Sequence, residues 1–251
     1  MNAPARSALD LAIPLVIAPR FAGPPGSANG GYTAGRLAAY LPGPGVRITL
    51  RQPPPLATTL EVTGTATGQV RALHAGALVA EAEPAELDVD PVEPVSFGTA
   101  AQLSTRYRGL SDHPFPGCFV CGIDRAPGDG LALRPGPLDD GTGRTACPWT
   151  PDLSVTGADG RVLPEIVWAA LDCPGGWAVD VPGRPMVLGR ITGQVDAVPE
   201  IGEPCVVMGR VLGREGRKAY TATTAYDTDG RVLGRAHAVW LEVDPQAIGR
   251  R

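Results

Sequence analysis

Nowhere in the sequence does an apolar run approach the ~20 residues needed to span a bilayer, so no transmembrane helix is expected. The N-terminal stretch has no basic region ahead of a long apolar one, so no signal peptide is expected either. Positive charge is not in excess: the net charge is −4, which gives no footprint for nucleic acid. Aromatic residues make up only 5%, which leaves Val, Ala and Leu to fill the core. Histidine occurs three times, as His74, His113 and His237, with no metal-ligand spacing. The five cysteines are an odd number in a chain of 251 residues. A reduced, cytoplasmic setting is therefore expected rather than a disulfide framework. Several catalytic signatures are also missing: there is no G-x-S-x-G elbow, no phosphate-binding GxxxxGK[ST] loop and no Rossmann fingerprint after a strand.

What the chain has is glycine and proline, 33 and 27 of them, so its elements should be short and separated by many turns. With 43% hydrophobic and 19% charged residues it suits a packed, soluble core, either one large domain or two small ones. The most informative stretch is 29–41, NGGYTAGRLAAYL. Ala34, Leu37, Ala38 and Leu41 recur at helical spacing. Ser27 or Asn29 can cap the first turn, and 42–45 (PGPG) ends the helix. Two glycines at the start allow close approach to N–H groups that carry partial positive charge.

Strand-like runs follow at 46–51, 58–67, 69–74 and 77–87, with a short strand expected earlier, at 14–20. Residues 88–115 read as a connection rich in proline and polar residues. The order then repeats. Residues 131–134 and 143–150 are candidate strands, 163–173 is the helix, and 174–176 (PGG) follows it. Strands are expected at 186–198, 204–212, 218–226 and 232–243, with hairpin turns at 213–216 and 229–230. The second helix is apolar nearly all round, which marks a buried helix. Strand–helix–strands found twice points to an α+β fold with an internal duplication.

The layout and its motifs resemble the hotdog thioesterases of the PaaI and acyl-CoA thioesterase type. Residues 118–133, CFVCGIDRAPGDGLAL, resemble their C-F-x-C-G…G-L-x-L segment. NGGYTAGRLA and LPEIVWAALD each resemble part of their H-G-G-x(6)-D helix signature, and 201–243 resembles their closing strands. The resemblance covers roughly 23–87 and 118–243. It implies a tandem (double) hotdog, with halves 1–110 and 111–251, each an antiparallel sheet wrapped around one central helix. It also implies action on an acyl-CoA or other small thioester, with coenzyme A entering only as part of the substrate. No metal or cofactor is assigned. Nucleic acid and membrane are not expected as partners. Hotdogs commonly pair, so a homodimer of pseudo-dimers is expected.

In that family the glycine amide binds the thioester oxygen and the acid nine residues after the histidine is base or nucleophile. The first half has Asn29 in place of the histidine, keeps Gly30 and Gly31, and has Ala38 where the acid belongs. The second half has Leu163, Pro164 and Glu165 for H-G-G but keeps the acid as Asp172. The resemblance therefore implies one composite site: Asn29, Gly30 and Gly31 from one half and Asp172 from the other. Loss of turnover, leaving a protein that only binds acyl groups or CoA, is the alternative that these departures raise. The hydratase D-x-N-P-x-H motif is not present, and 112–114 does not match it.

Taken on the residues alone, other roles stay open. Asp172, near a helix end among apolar neighbours, is costly unless paired or useful; it could pair with Arg190 or cap the 174–176 turn. Asn29, Gly30 and Gly31 could be no more than a capped helix start. Glu165 reads as a solvated first-turn acid that favours the helix dipole, with a catalytic role as the alternative. Cys118 and Cys121 form a single C-x-x-C; zinc would need two more ligands, from Cys147, Cys173 or His113, and the alternative is reduced cysteines packed in a turn. No βαβ pattern surrounds the pair, which weakens a redox reading. A second alignment sets 174–177 against 29–32 and makes Asp180 the acid candidate.

Overall fold

The computed structural model describes residues 14–179 and 185–244; the alternative acid Asp180 lies outside the described residues. Within them a single antiparallel sheet of eleven strands curves around a small group of helices. The first-half strands are β1 (Leu15–Val16), β2 (Gly45–Leu50), β3 (Thr59–Gly64), β4 (Val70–His74) and β5 (Ala77–Pro84). The second-half strands are β6 (Gly136–Pro137), β7 (Arg144–Trp149), β8 (Met186–Val195), β9 (Cys205–Glu215), β10 (Lys218–Tyr226) and β11 (Val232–Glu242). The strand order is β1-β3-β4-β5-β2-β8-β11-β10-β9-β7-β6. Outward from the β2–β8 seam the two sides follow the same order, β2-β5-β4-β3 on one and β8-β11-β10-β9 on the other. The seam itself is a ladder in which Ile48 faces Ile191 and Thr49 faces Arg190.

Helix α1 (Gly30–Ala38) and helix α3 (Pro164–Ala170) lie inside the curve of the sheet. Both are buried almost all round, as their small and apolar side chains require: Ala34, Leu37, Val167 and Ala169 are wholly inaccessible. The two helices run antiparallel, because Gly31 at the start of α1 meets Trp168 and Ala169 near the end of α3, while Gly35 meets Glu165 at the start of α3. A Cβ at Gly35 would come within 2.6 Å of Glu165 Cα, so the axes approach this closely only because residue 35 is glycine.

Several sequence expectations shift. The expected single helix per half is not what the described residues contain: each half carries a second one. Helix α2 (Phe97–Ser104) forms inside the stretch read as a connection, capped by Ser96, whose hydroxyl accepts from the Thr99 N–H. It packs with Val92 over Ala146, Met208 and Ala222 on the outer face of the second-half sheet. The connecting segment is tied down there too: the Val92 N–H donates to Thr224 and its carbonyl accepts from the Tyr226 hydroxyl. Helix α4 (Cys173–Ala178) starts where 174–176 was expected to end a helix. Pro174 sits in its first turn, where a missing N–H costs nothing. Residues 131–134 do not form a strand; Leu131 and Leu133 instead donate to the carbonyls of Phe119 and Val120.

Candidate active site

Asn29 is the N-cap of α1. Its side-chain oxygen accepts from the Tyr32 N–H at 2.8 Å, which leaves its amide nitrogen free to point elsewhere. That nitrogen donates to Asp172 Oδ2 at 2.9 Å. The Gly31 N–H donates to the same oxygen, also at 2.9 Å. Residues more than 140 positions apart in the sequence therefore meet at one carboxylate. Gly31 must be glycine for this: a Cβ there would lie 2.5 Å from Asp172 Cβ and 2.7 Å from the Trp168 carbonyl oxygen.

Asp172 sits in the break between α3 and α4, and its side chain caps neither. It does not pair with Arg190, whose guanidinium instead donates to Thr49. Its second oxygen, Oδ1, is buried with no hydrogen-bond partner. Burial pushes the carboxyl up to about 7; the Gly31 N–H opposes this, the neighbouring Cys118 adds to it, and the Asn29 amide opposes it. A carboxyl in that range gains and loses a proton near neutrality, as a general base must.

Asp172 lines a cleft of about 610 Å³. Leu50, Phe115, Trp177, Met186, Leu188 and Trp240 give it apolar walls, and Asn29, Gly30, Cys118, Cys121 and Cys173 line it beside Asp172. The Gly30 N–H, the first of α1, has no acceptor among the described residues. The cleft can therefore hold an apolar group and offer a donor at the positive end of α1, with the Asp172 carboxyl in its lining.

The other half-signature has no such equipment. Pro164 has no N–H to donate at the start of α3, and Glu165 is not a freely solvated acid: it lies 3.7 Å from Arg36 of α1. Ala38 supplies no acid in the place that matches Asp172.

No protein-family model matches the chain, and no curated protein sequence matches it. Solved structures do. The "putative thioesterase" of Novosphingobium aromaticivorans aligns over 92% of this chain and 95% of its own, with a TM-score of 0.62 at 15% identity. The tesB protein of Mycobacterium avium subspecies paratuberculosis aligns over 91% of each chain, with a TM-score of 0.55 at 14% identity. A hot dog fold protein of unknown function from Alicyclobacillus acidocaldarius aligns over 90% of each chain, with a TM-score of 0.54 at 13% identity.

The chain has the hotdog fold.

Within this hotdog the sequence reading had named the residues around the carboxylate but not the cleft walls. Leu188 and Trp240 come from β8 and β11, and Trp177 from α4, whose existence the proline and two glycines at 174–176 concealed. Nor does spacing reveal that Cys173 reaches Cys118. Their sulfurs lie 3.7 Å apart, and the only sequence signal is that Cys173 directly follows Asp172. His113, weighed as a metal ligand, is engaged at both nitrogens. Its Nδ1 accepts from the Phe115 N–H, so Nε2 carries the proton and donates to the Cys121 carbonyl.

Proposed function

We propose that the chain is a tandem hotdog that hydrolyses an acyl-CoA or a similar small thioester at one composite site. The observation that carries this is the meeting of Asp172 from one half with Asn29 and Gly31 from the other, in the lining of an apolar cleft. The thioester carbonyl oxygen accepts from the Gly30 N–H, where the positive end of α1 stabilises the charge that develops on it. One such preorganised donor is worth roughly 3–4 kcal/mol of barrier in enzymes where it has been removed. Gly31 and Asn29 hold Asp172 by one oxygen and leave Oδ1 free. Oδ1 takes a proton from water as the water attacks the carbonyl carbon and the thiol leaves, or attacks that carbon itself, expelling the thiol and leaving a mixed anhydride that water then cleaves to free the acid and restore Asp172. The likeness in fold to proteins called thioesterases supports the substrate class. A homodimer of the tandem chain, acting in the cytoplasm, completes the proposal, and sedimentation analysis tests the dimer.

One contact favours a second reading, ligand binding without turnover: the Gly31 N–H is already committed to Asp172 and is not open to a thioester oxygen. A panel of acyl-CoAs of different chain length and aromatic content separates the two readings, with release of CoA thiol as readout for the wild type and Asp172→Ala. Turnover that the variant loses supports hydrolysis. Binding by calorimetry with no thiol released supports the second reading.

A further inference from the structure

The cleft holds a second group of reactive side chains that the proposed hydrolysis does not use. Cys118, Cys121 and Cys173 are all buried, and their three sulfurs lie within 4.8 Å of one another. Sulfurs bound to one zinc ion at about 2.3 Å sit about 3.8 Å apart at the corners of a tetrahedron. The Cys118–Cys173 separation of 3.7 Å matches that edge with no movement of either residue. A polar donor also approaches the cluster: the Asn29 amide nitrogen lies 4.0 Å from the Cys118 sulfur.

We propose that Cys118, Cys121 and Cys173 form a three-thiolate site for zinc, with its fourth position open to the cleft. Three soft sulfur ligands select a thiophilic ion over magnesium or calcium. No other side chain weighed for the role supplies the fourth ligand. His113 has both nitrogens engaged, and the Cys147 sulfur is turned toward the Val207 carbonyl on β9. What remains at the fourth position is solvent or a cleft ligand, since all three cysteines line the cleft. An ion there would bind the loop at 118–121 to the first residue of α4. The proposal does not depend on thioester hydrolysis, and its test does not read activity.

The test is titration of reduced, chelator-stripped protein with cobalt(II), followed by displacement with zinc. The expected result is one equivalent bound, an intense sulfur-to-cobalt charge-transfer band, and loss of that band as zinc replaces cobalt. Cys118→Ser and Cys173→Ser should each weaken binding at least tenfold, while Cys147→Ser leaves it unchanged. Circular dichroism confirms that each variant folds; should one fail, the wild-type titration still decides. A wild-type protein that binds no cobalt with a thiolate band overturns the site. So does binding that survives both cluster substitutions.

Discussion

Asp172→Asn should make the protein more stable while removing its reactive carboxylate. The native carboxyl is raised from its ordinary 3.8 to about 7, chiefly by burial. At about 1.36 kcal/mol for each tenfold change in affinity for the proton, holding it charged costs the fold on the order of 4 kcal/mol. The folded state therefore binds a proton that the unfolded chain has released between these two values. Stability falls as pH rises through that window, and the loss is complete above about pH 7. Asparagine has no such penalty, and its side-chain oxygen can still accept from Gly31 and Asn29. Against this, its NH₂ takes the place of the unpartnered Oδ1, at a cost of roughly 1–3 kcal/mol for a buried unsatisfied donor. The net gain is about 1–3 kcal/mol at about pH 8, shrinking to nothing or reversing near pH 4. For a chain of this size it reads as a rise in Tm of about 2–4 °C per kcal/mol. Thermal and urea unfolding across that range, with chelator and reductant present so that the cysteine cluster carries no metal, gives both curves. Parallel pH profiles for the two proteins would refute the reasoning, as would a variant less stable than wild type at the alkaline end.

Gly31→Ala tests the crossing of the two central helices. A methyl group there meets Asp172 Cβ and the Trp168 carbonyl, neither of which can swing aside, so overpacking of about 1–3 kcal/mol should outweigh alanine's helix preference of about 1 kcal/mol. A lower Tm with lost ligand binding is expected, and an unchanged Tm would count against this packing. Glu165→Gln breaks a partly exposed pair with Arg36 at 3.7 Å, so it should change stability by less than about 1 kcal/mol in urea unfolding. It should also leave turnover intact, since the start of α3 has no part in the proposed chemistry.

How far the sequence revealed this arrangement depended on how local each signal was. The spacing of Ala34, Leu37 and Leu41 and the cap at Asn29 are features of one continuous segment, and α1 starts where they put it, but it ends at Ala38, and Leu41 lies in the turn that follows rather than in the helix. The β-branched and alternating runs behind β2, β3, β10 and β11 were legible for the same reason. Helix α2 was not: it is eight residues long, set among prolines, and stabilised by a sheet face that belongs to strands more than forty residues later. At 174–176 the signal was present but ambiguous, because proline both ends one helix and opens another. The site divides in the same way. Asn29, Gly30, Gly31 and Asp172 were reached through a motif resemblance. The orphaned oxygen of Asp172, the commitment of the Gly31 N–H to its carboxylate and the approach of Cys173 to Cys118 all come from tertiary packing, which spacing does not encode.

The central claim is that two halves of the chain converge on one thioester. A crystal structure with a hydrolysis-resistant acyl-CoA analogue, its sulfur replaced by methylene, tests it most directly. The account predicts the carbonyl oxygen about 2.7–3.1 Å from the Gly30 nitrogen, with the carbonyl carbon facing Asp172 Oδ1 and the acyl group between Leu188 and Trp240. An analogue bound with its carbonyl away from both Gly30 and Asp172 would contradict it.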